Sequence, residues 1–433
     1  MILALILMLQ LSYQDKCAQP GVLGCWPFDD VSELRYAWDG SNQALNAALA
    51  GQKRFTISRQ RIPGEGNTLA RQHISGALSV PVIDGGLKFT IPSESSADPG
   101  WFQDNFNKVL GNPSYYINPT SPNGSEVWIQ FRFRVNEVML DETFRDAPFL
   151  FNLSTPSAGS RNVNATYAAF TPDMVGQKLI VSNGQNFVAG FYTITDVLTD
   201  RSLVVDRSPT PNAAGTPTMM QVSSPRPAGG WKVIIIFGNA PSGASSSQTE
   251  ITMNDGSQRG FPTMYGQQGT DAPSPQMSVP FARNRSQEIT IHVAMAGSSN
   301  ERTNRVRWWV DGVLAGDWPT ARASWSDGYG FGQFMLTPYH TRKDPTQVHG
   351  TGYVWYDDLI VSAKPIAMVG QSPCELDPLV IGSLGLPTAP TGSRSLRWDS
   401  GAREIVRGAW EWIAGRLMVR FEDSRGCSFE VAR

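Results

Sequence analysis

The stretch Glu126–Val135, EVWIQFRFRV, constrains the fold most, because Val127, Ile129, Phe131, Phe133 and Val135 recur at every second position. A period of two places all five side chains on one face of a β-strand, and no helix presents that pattern. Trp128, Gln130, Arg132 and Arg134 fall on the opposite face. A sandwich strand reads this way when one face enters the core and the other lines a groove.

Similar runs predict strands at residues 231–237, 249–253, 288–294, 305–310, 331–336 and 353–361, and Leu87, Phe89 and Ile91 alternate on another. Asp311-Gly312 supplies a hairpin turn between VRWWV and VLAGDW. Antiparallel strands in this number, joined by tight and long connections, point to a jelly roll. Composition agrees: 41 Gly, 30 Pro and only 17% charged residues suit an all-β protein with long loops. No amphipathic helix longer than about three turns is predicted. The 433 residues exceed what one core serves, which implies a large domain with additions.

The formal net charge of −2 and the lack of a long basic run give no electrostatic reason to bind nucleic acid or an acidic membrane. Recognition of an acidic ligand has to be local. Residues 2–11 form an apolar run too short to span a bilayer; it reads as the core of a signal peptide, without a cationic n-region or a clean small-residue cleavage site, or as a buried N-terminal strand. Four cysteines, Cys17, Cys25, Cys374 and Cys427, lie two near each end. Of the three pairings open to them, neighbour with neighbour is the simplest. Together these features lead to the expectation of a secreted or extracellular protein.

Five segments are expected: a signal or N-terminal piece at 1–24, a jelly roll divided between 25–164 and 223–366, an inserted β-module at 165–222, and a C-terminal β-module at 367–433. The insertion has Gly-rich turns and short strands of its own, and loop tips accept such additions cheaply. In the last segment Trp398, Trp410 and Trp412 form either a sugar-stacking platform or simply a core.

The stretch at 328–362, GYGFGQFMLTPYHTRKDPTQVHGTGYVWYDDLIVS, holds two strands around a loop rich in ionisable groups. Strict alternation would put Tyr353, Trp355, Asp357 and Leu359 on one face of the closing strand and Val354, Tyr356, Asp358 and Ile360 on the other. An acidic pair is unusual in such a strand. The loop gathers Tyr339, His340, Arg342, Lys343, Asp344 and His349, groups suited to proton transfer and anion binding.

This stretch resembles a family of secreted concanavalin A-like jelly-roll proteins, related in fold to alginate, glucuronan and heparin lyases. The resemblance also rests on GWKVIIIFGN, QTEITMNDGSQRGFPTMYG, CWPFDD, DGGLKFTIPSESSADPGWF and WIQFRFRV, so it covers most of residues 25–366. Residues 165–222, from TPDMVGQ to VVDRS, resemble a small β-module of phage virion and tail-associated proteins. The lyase resemblance implies an arginine-bearing strand for a uronate. The RxExR pattern of alginate lyases is here QFRFR.

Three constellations are candidates for chemistry. Gln130, Arg132 and Arg134 project together, and an arginine fork matches a carboxylate bidentately. Gln248, Glu250 and Asn254 share a strand face, with a single carboxylate where a retaining glycosidase needs two. Tyr339, His340 and His292 are the candidate catalytic groups, with Arg307 and Lys343 as further substrate contacts. β-Elimination of a uronide needs its carboxylate neutralised, a proton removed and the leaving oxygen protonated, and these residue types suit those tasks. Asp311, Asp357 and Asp358 are hard oxygen ligands of the kind calcium takes, without a DxDxDG loop. No organic cofactor is expected. The function expected is a groove for an acidic polysaccharide, with lyase activity as its enzymatic form; the alternative is a non-catalytic carbohydrate-binding or virion-associated structural protein.

Overall fold

The strand read at Glu126–Val135 forms over those same residues, and its five alternating apolar side chains are buried. The computed structural model describes residues 11–30, 34–37, 55–59, 82–91, 93, 104–109, 124–181, 184–227, 230–238, 250–255, 260–266, 279–295, 304–321, 331–336, 338, 340, 342–369, 391–396, 405–413, 416–423 and 428–432. Two compact units divide the chain: Gly21–Ala363, and the remainder, Met1–Pro20 with Lys364–Arg433.

The first unit is an all-β sandwich. Its eight-stranded sheet runs in the order Val313–Ala321 (β19), Asn304–Val310 (β18), Gln287–Ala294 (β17), Glu126–Val135 (β7), Gly352–Ser362 (β21), Leu87–Ile91 (β5) and Val82–Ile83 (β4), with Val22–Trp26 (β1) also paired to β21. The facing seven-stranded sheet runs Pro262–Gly266 (β16), Glu250–Asp255 (β15), Lys232–Gly238 (β14), Phe331–Leu336 (β20), Asp104–Val109 (β6), Phe55–Arg59 (β3) and Leu34–Ala37 (β2). Phe131, Phe133, Ile291 and Tyr356 of the first sheet share one core with Ile234, Ile236, Met253 and Phe334 of the second. Polar atoms entering that core are satisfied across it. The Tyr356 hydroxyl donates to the Val233 carbonyl at 2.6 Å and the Trp308 indole N–H to the Pro262 carbonyl at 2.9 Å.

Between β7 and β14 the chain leaves the sandwich to form a closed barrel ordered Lys178–Val181 (β10), Gly190–Thr199 (β11), Ser202–Val205 (β12), Asn162–Ala165 (β9), Phe149–Ser154 (β8) and Thr218–Val222 (β13). The barrel thus takes in residues 149–164 as well as the segment 165–222 marked out in the sequence. It encloses a separate core that includes Leu153, Leu179, Val181, Ile194, Leu203 and Met220.

In the second unit, Thr391–Leu396 (β22), Ile405–Ile413 (β23), Arg416–Asp423 (β24) and Ser428–Ala432 (β25) form an antiparallel four-stranded sheet. Trp410 and Trp412 fall on β23, while Trp398, Cys374, Cys427 and most of the apolar run at 2–11 lie outside the described residues. Cys17 and Cys25 are disulfide-bonded. Among the described residues no helix is long and apolar enough to cross a membrane.

Candidate functional site

Strand register lays out the outer face of the eight-stranded sheet as successive cross-strand ranks. Trp355 on β21 lies between Lys88 on β5 and Arg134 on β7. In the next rank Arg132 lies between Asp357 on β21 and Glu288 on β17. Gln130 then pairs with Thr290, its amide donating to the hydroxyl at 2.9 Å. In the rank of Trp128 follow His292 and Arg307. Inter-strand spacing of about 4.8 Å makes every rank a continuous strip.

β21 departs from the strict alternation expected of it. Up to Tyr356 the even-numbered residues face the core; beyond the acidic pair Leu359 and Val361 do so. The register with β7 shifts between Asp357 and Ile360, and Asp358 has φ 49°. One extra residue in the left-handed region forms a bulge, and a short Asp side chain tolerates that conformation better than most. Asp357 stays on the outer face with Trp355, while Leu359 turns inward and Ile360 outward.

Arg134 is the best-prepared cation of this face. Its guanidinium lies 4.0 Å from the centroid of the Trp355 ring, and the Trp355 indole N–H is tied to the Asp84 carbonyl at 3.0 Å. Lys88 reaches over Tyr353 and Trp355 at 4.7 and 5.5 Å and pairs with Asp84 at 2.6 Å. No ion pair of Arg134 is found among the described residues, although its charge, after that of Lys88, helps hold the Asp84 carboxyl below its ordinary value. Arg132 has Asp358 at 3.8 Å, Arg285 has Asp311 at 2.8 Å, and Arg305 is paired with Asp317. Lys88, Tyr353 and Trp355 were absent from the candidate residues read in the sequence; the signal was the alternation of LKFTI and YVWYD, which puts them in phase with Arg134.

His292 sits at the other end of the face, buried, with its ring stacked on Trp128 at 4.0 Å and 17°. Arg307 donates to its Nδ1 at 3.2 Å, so Nε2 carries the proton and donates to the Glu126 carboxylate at 3.0 Å. Burial holds this imidazole below the ordinary histidine pKa against the opposing pull of Glu126. With both nitrogens engaged, the ring is placed to order the sheet face rather than to accept a proton from a ligand.

The other candidates do not join this face. Glu250 and Asn254 lie on β15 in the seven-stranded sheet, whereas Arg132, Arg134 and His292 lie on the eight-stranded one. A packed core separates the two sheets. Gln248 and Tyr339 lie outside the described residues. His340 and Lys343 are fully buried around Phe144, at 3.9 Å ring to ring for the histidine and 5.8 Å for the ammonium. They belong to the joint between sandwich and barrel. There Ala147 donates to the Arg342 carbonyl at 2.7 Å and Asp344 to the Arg145 carbonyl at 2.9 Å.

The calcium candidates are likewise dispersed. Asp311 closes the β18–β19 hairpin, its carboxylate accepting from the Glu288 amide at 2.9 Å and from Arg285 at 2.8 Å. That pairing with a cation does not fit a metal ligand. Among the described residues no group of three or more His, Cys, Asp or Glu is arranged to hold a metal ion.

No family model matches the chain, and no curated protein matches it. Solved structures with partial likeness include the alginate lyase Aly36B bound to an alginate trisaccharide, at TM-score 0.31 and 10% identity over 64% of this chain and 82% of that one. The endo-β-1,4-glucuronan lyase of Trichoderma reesei gives 0.28 and 13% over 70% and 92%. The alginate lyase AlyA1 of Zobellia galactanivorans gives 0.26 and 10% over 73% and 98%. Likenesses of this size carry nothing about the chemistry of the present chain.

Proposed function

We propose that this protein binds an acidic polysaccharide on the outer face of its eight-stranded sheet, with Arg134 as the receptor for a ligand carboxylate. The observation that carries this reading is the guanidinium held on Trp355, with no ion pair of its own among the described residues. A planar fork already fixed in orientation loses little entropy when it takes a carboxylate bidentately. Lys88 adds a second cation in the same rank. Non-catalytic binding is favoured over β-elimination because His292 and His340 are both buried within the protein's own contacts. Export suits the disulfide-bonded Cys17 and Cys25.

Calorimetric titration with alginate, glucuronan, heparin, pectate and a neutral glucan tests the proposal. Arg134→Ala should weaken binding of acidic polymers by about 1.5–3 kcal/mol, the range for hydrogen bonds to charged groups, and added salt should weaken it further. Affinity for acidic polymers indifferent to both Arg134 and salt sinks the reading. Accumulation of an unsaturated product absorbing in the ultraviolet would make the protein a lyase instead.

A further inference from the structure

The rank beside the Arg134 receptor is built differently. Arg132 is exposed there and surrounded by acid: Asp357 opposite it on β21, Glu288 opposite it on β17, and the Asp358 carboxylate at 3.8 Å. An acidic chain lying across Arg134 meets these carboxylates one rank, roughly 7 Å, further along the strand. Plain alternation from Trp355 puts Asp357 on the outer face, and the bulge at Asp358 reverses the phase only beyond it.

Resting on the binding role proposed above, we infer that Asp357 gates this face: ionised, it adds a negative charge in the rank beside Arg134 and repels a ligand carboxylate; neutral, it removes that repulsion while Arg132 stays paired with Asp358, so acidic polymers bind more tightly in mildly acidic medium. The surroundings of Asp357 favour its neutral form. Gly86, φ 105°, packs so close that a Cβ there would lie 2.7 Å from the Tyr356 carbonyl oxygen and 3.2 Å from the Asp357 Cβ. The charged groups acting on Asp357 are Asp358 on its own strand, Arg132 on β7 and Asp29 beyond β1. Two of the three are acids. Burial first, then the charge of Asp358, pushes the Asp357 carboxyl up to about 6, against the hydrogen bond from the Asp358 backbone amide and the charge of Arg132.

The direction of the effect follows. Above about 6 Asp357 is charged and the face repels anions; below it Asp357 is neutral while ordinary ligand carboxylates, with pKa near 4, stay ionised. His292 and His349 are both displaced downward and so move away from this window.

The test is calorimetric titration of wild type and Asp357→Asn with glucuronan between pH about 5 and 8 at constant ionic strength, in buffers of different ionisation enthalpy. Wild-type affinity should rise about tenfold as pH falls, the order expected from removing one charge a few ångströms away near the surface. Binding near the midpoint should take up protons. Asp357→Asn should bind at neutral pH as tightly as wild type does in acid, with no proton uptake. A flat wild-type profile, or a pH dependence that Asp357→Asn retains, overturns the gate and leaves the binding reading standing. No binding of any acidic polymer at any pH overturns both.

Discussion

Arg134 and Trp355 show how one contact turns a solvated charge into a receptor. A guanidinium over an indole gains on the order of 0.5–1 kcal/mol at an exposed site and loses part of its rotamer freedom before any ligand arrives. Trp355→Leu should therefore reduce affinity for an acidic polymer although no carboxylate contact is deleted, and the loss should vanish in the Arg134→Ala background. Additive losses in a double-mutant cycle would show that the two side chains act separately. A second residue-scale prediction concerns His349. Burial, then the charge of Lys343, brings its imidazole down to about 4, and its Nε2 is buried without a hydrogen-bond partner. The folded state prefers the neutral ring, so His349 contributes stability above the ordinary value near 6.5 that is lost as pH falls through about 4. Urea denaturation at a series of pH values should find His349→Gln less acid-sensitive than wild type; parallel pH profiles would contradict this. The phase of Arg132 and Arg134 was legible in the sequence because alternation is strict on β7. Depth was not: Trp128 and Gln130 share that face yet are buried, since burial there depends on what covers the strand rather than on the strand itself.

At the scale of elements, period-two reading located the central strands well, because a strand with one face in a core must repeat every second residue. It failed by one residue in β21. The acidic pair that looked anomalous in an aromatic strand is the bulge, where an added residue reverses the phase of everything beyond it. The same limit applied between sheets: alternation says which face a residue takes within its strand, not which sheet the strand joins, so it left open that Glu250 and Arg134 belong to different sheets. Because Asp358 adopts φ 49°, its substitution separates conformation from charge. Asp358→Asn should leave the melting temperature nearly unchanged. Asp358→Val, β-branched in the left-handed region, should cost about 1–2 kcal/mol. Equal losses in both would show that the Arg132 ion pair, not the bulge, is what stabilises this turn of the strand.

At the scale of the molecule, sandwich and barrel are two cores on one chain. Gly-rich turns in the sequence point to an insertion at 165–222, while the barrel's strands run from β8 at Phe149 to β13 at Val222. β8 and β9 read as ordinary short strands, and only barrel closure assigns them: β9 pairs with β12 and β8 with β13. Deleting 165–222 would strand β8 and β9 with exposed apolar faces and unpaired edges. Deleting 149–222 removes the closed barrel whole. The two cut ends are already neighbours, since the Val222 amide donates to the Pro148 carbonyl at 3.1 Å, so a short Gly/Ser bridge spans them at little entropic cost. The sandwich retains the joint beneath, where Arg145, Asp146, Arg342 and Asp344 bond through their backbones. The 149–222 deletion should therefore melt in one cooperative transition and keep its affinity for acidic polymers, while the 165–222 deletion should aggregate or melt broadly. Loss of cooperative melting in the larger deletion as well would mean that the barrel is part of the sandwich's folding unit, not a domain carried on it.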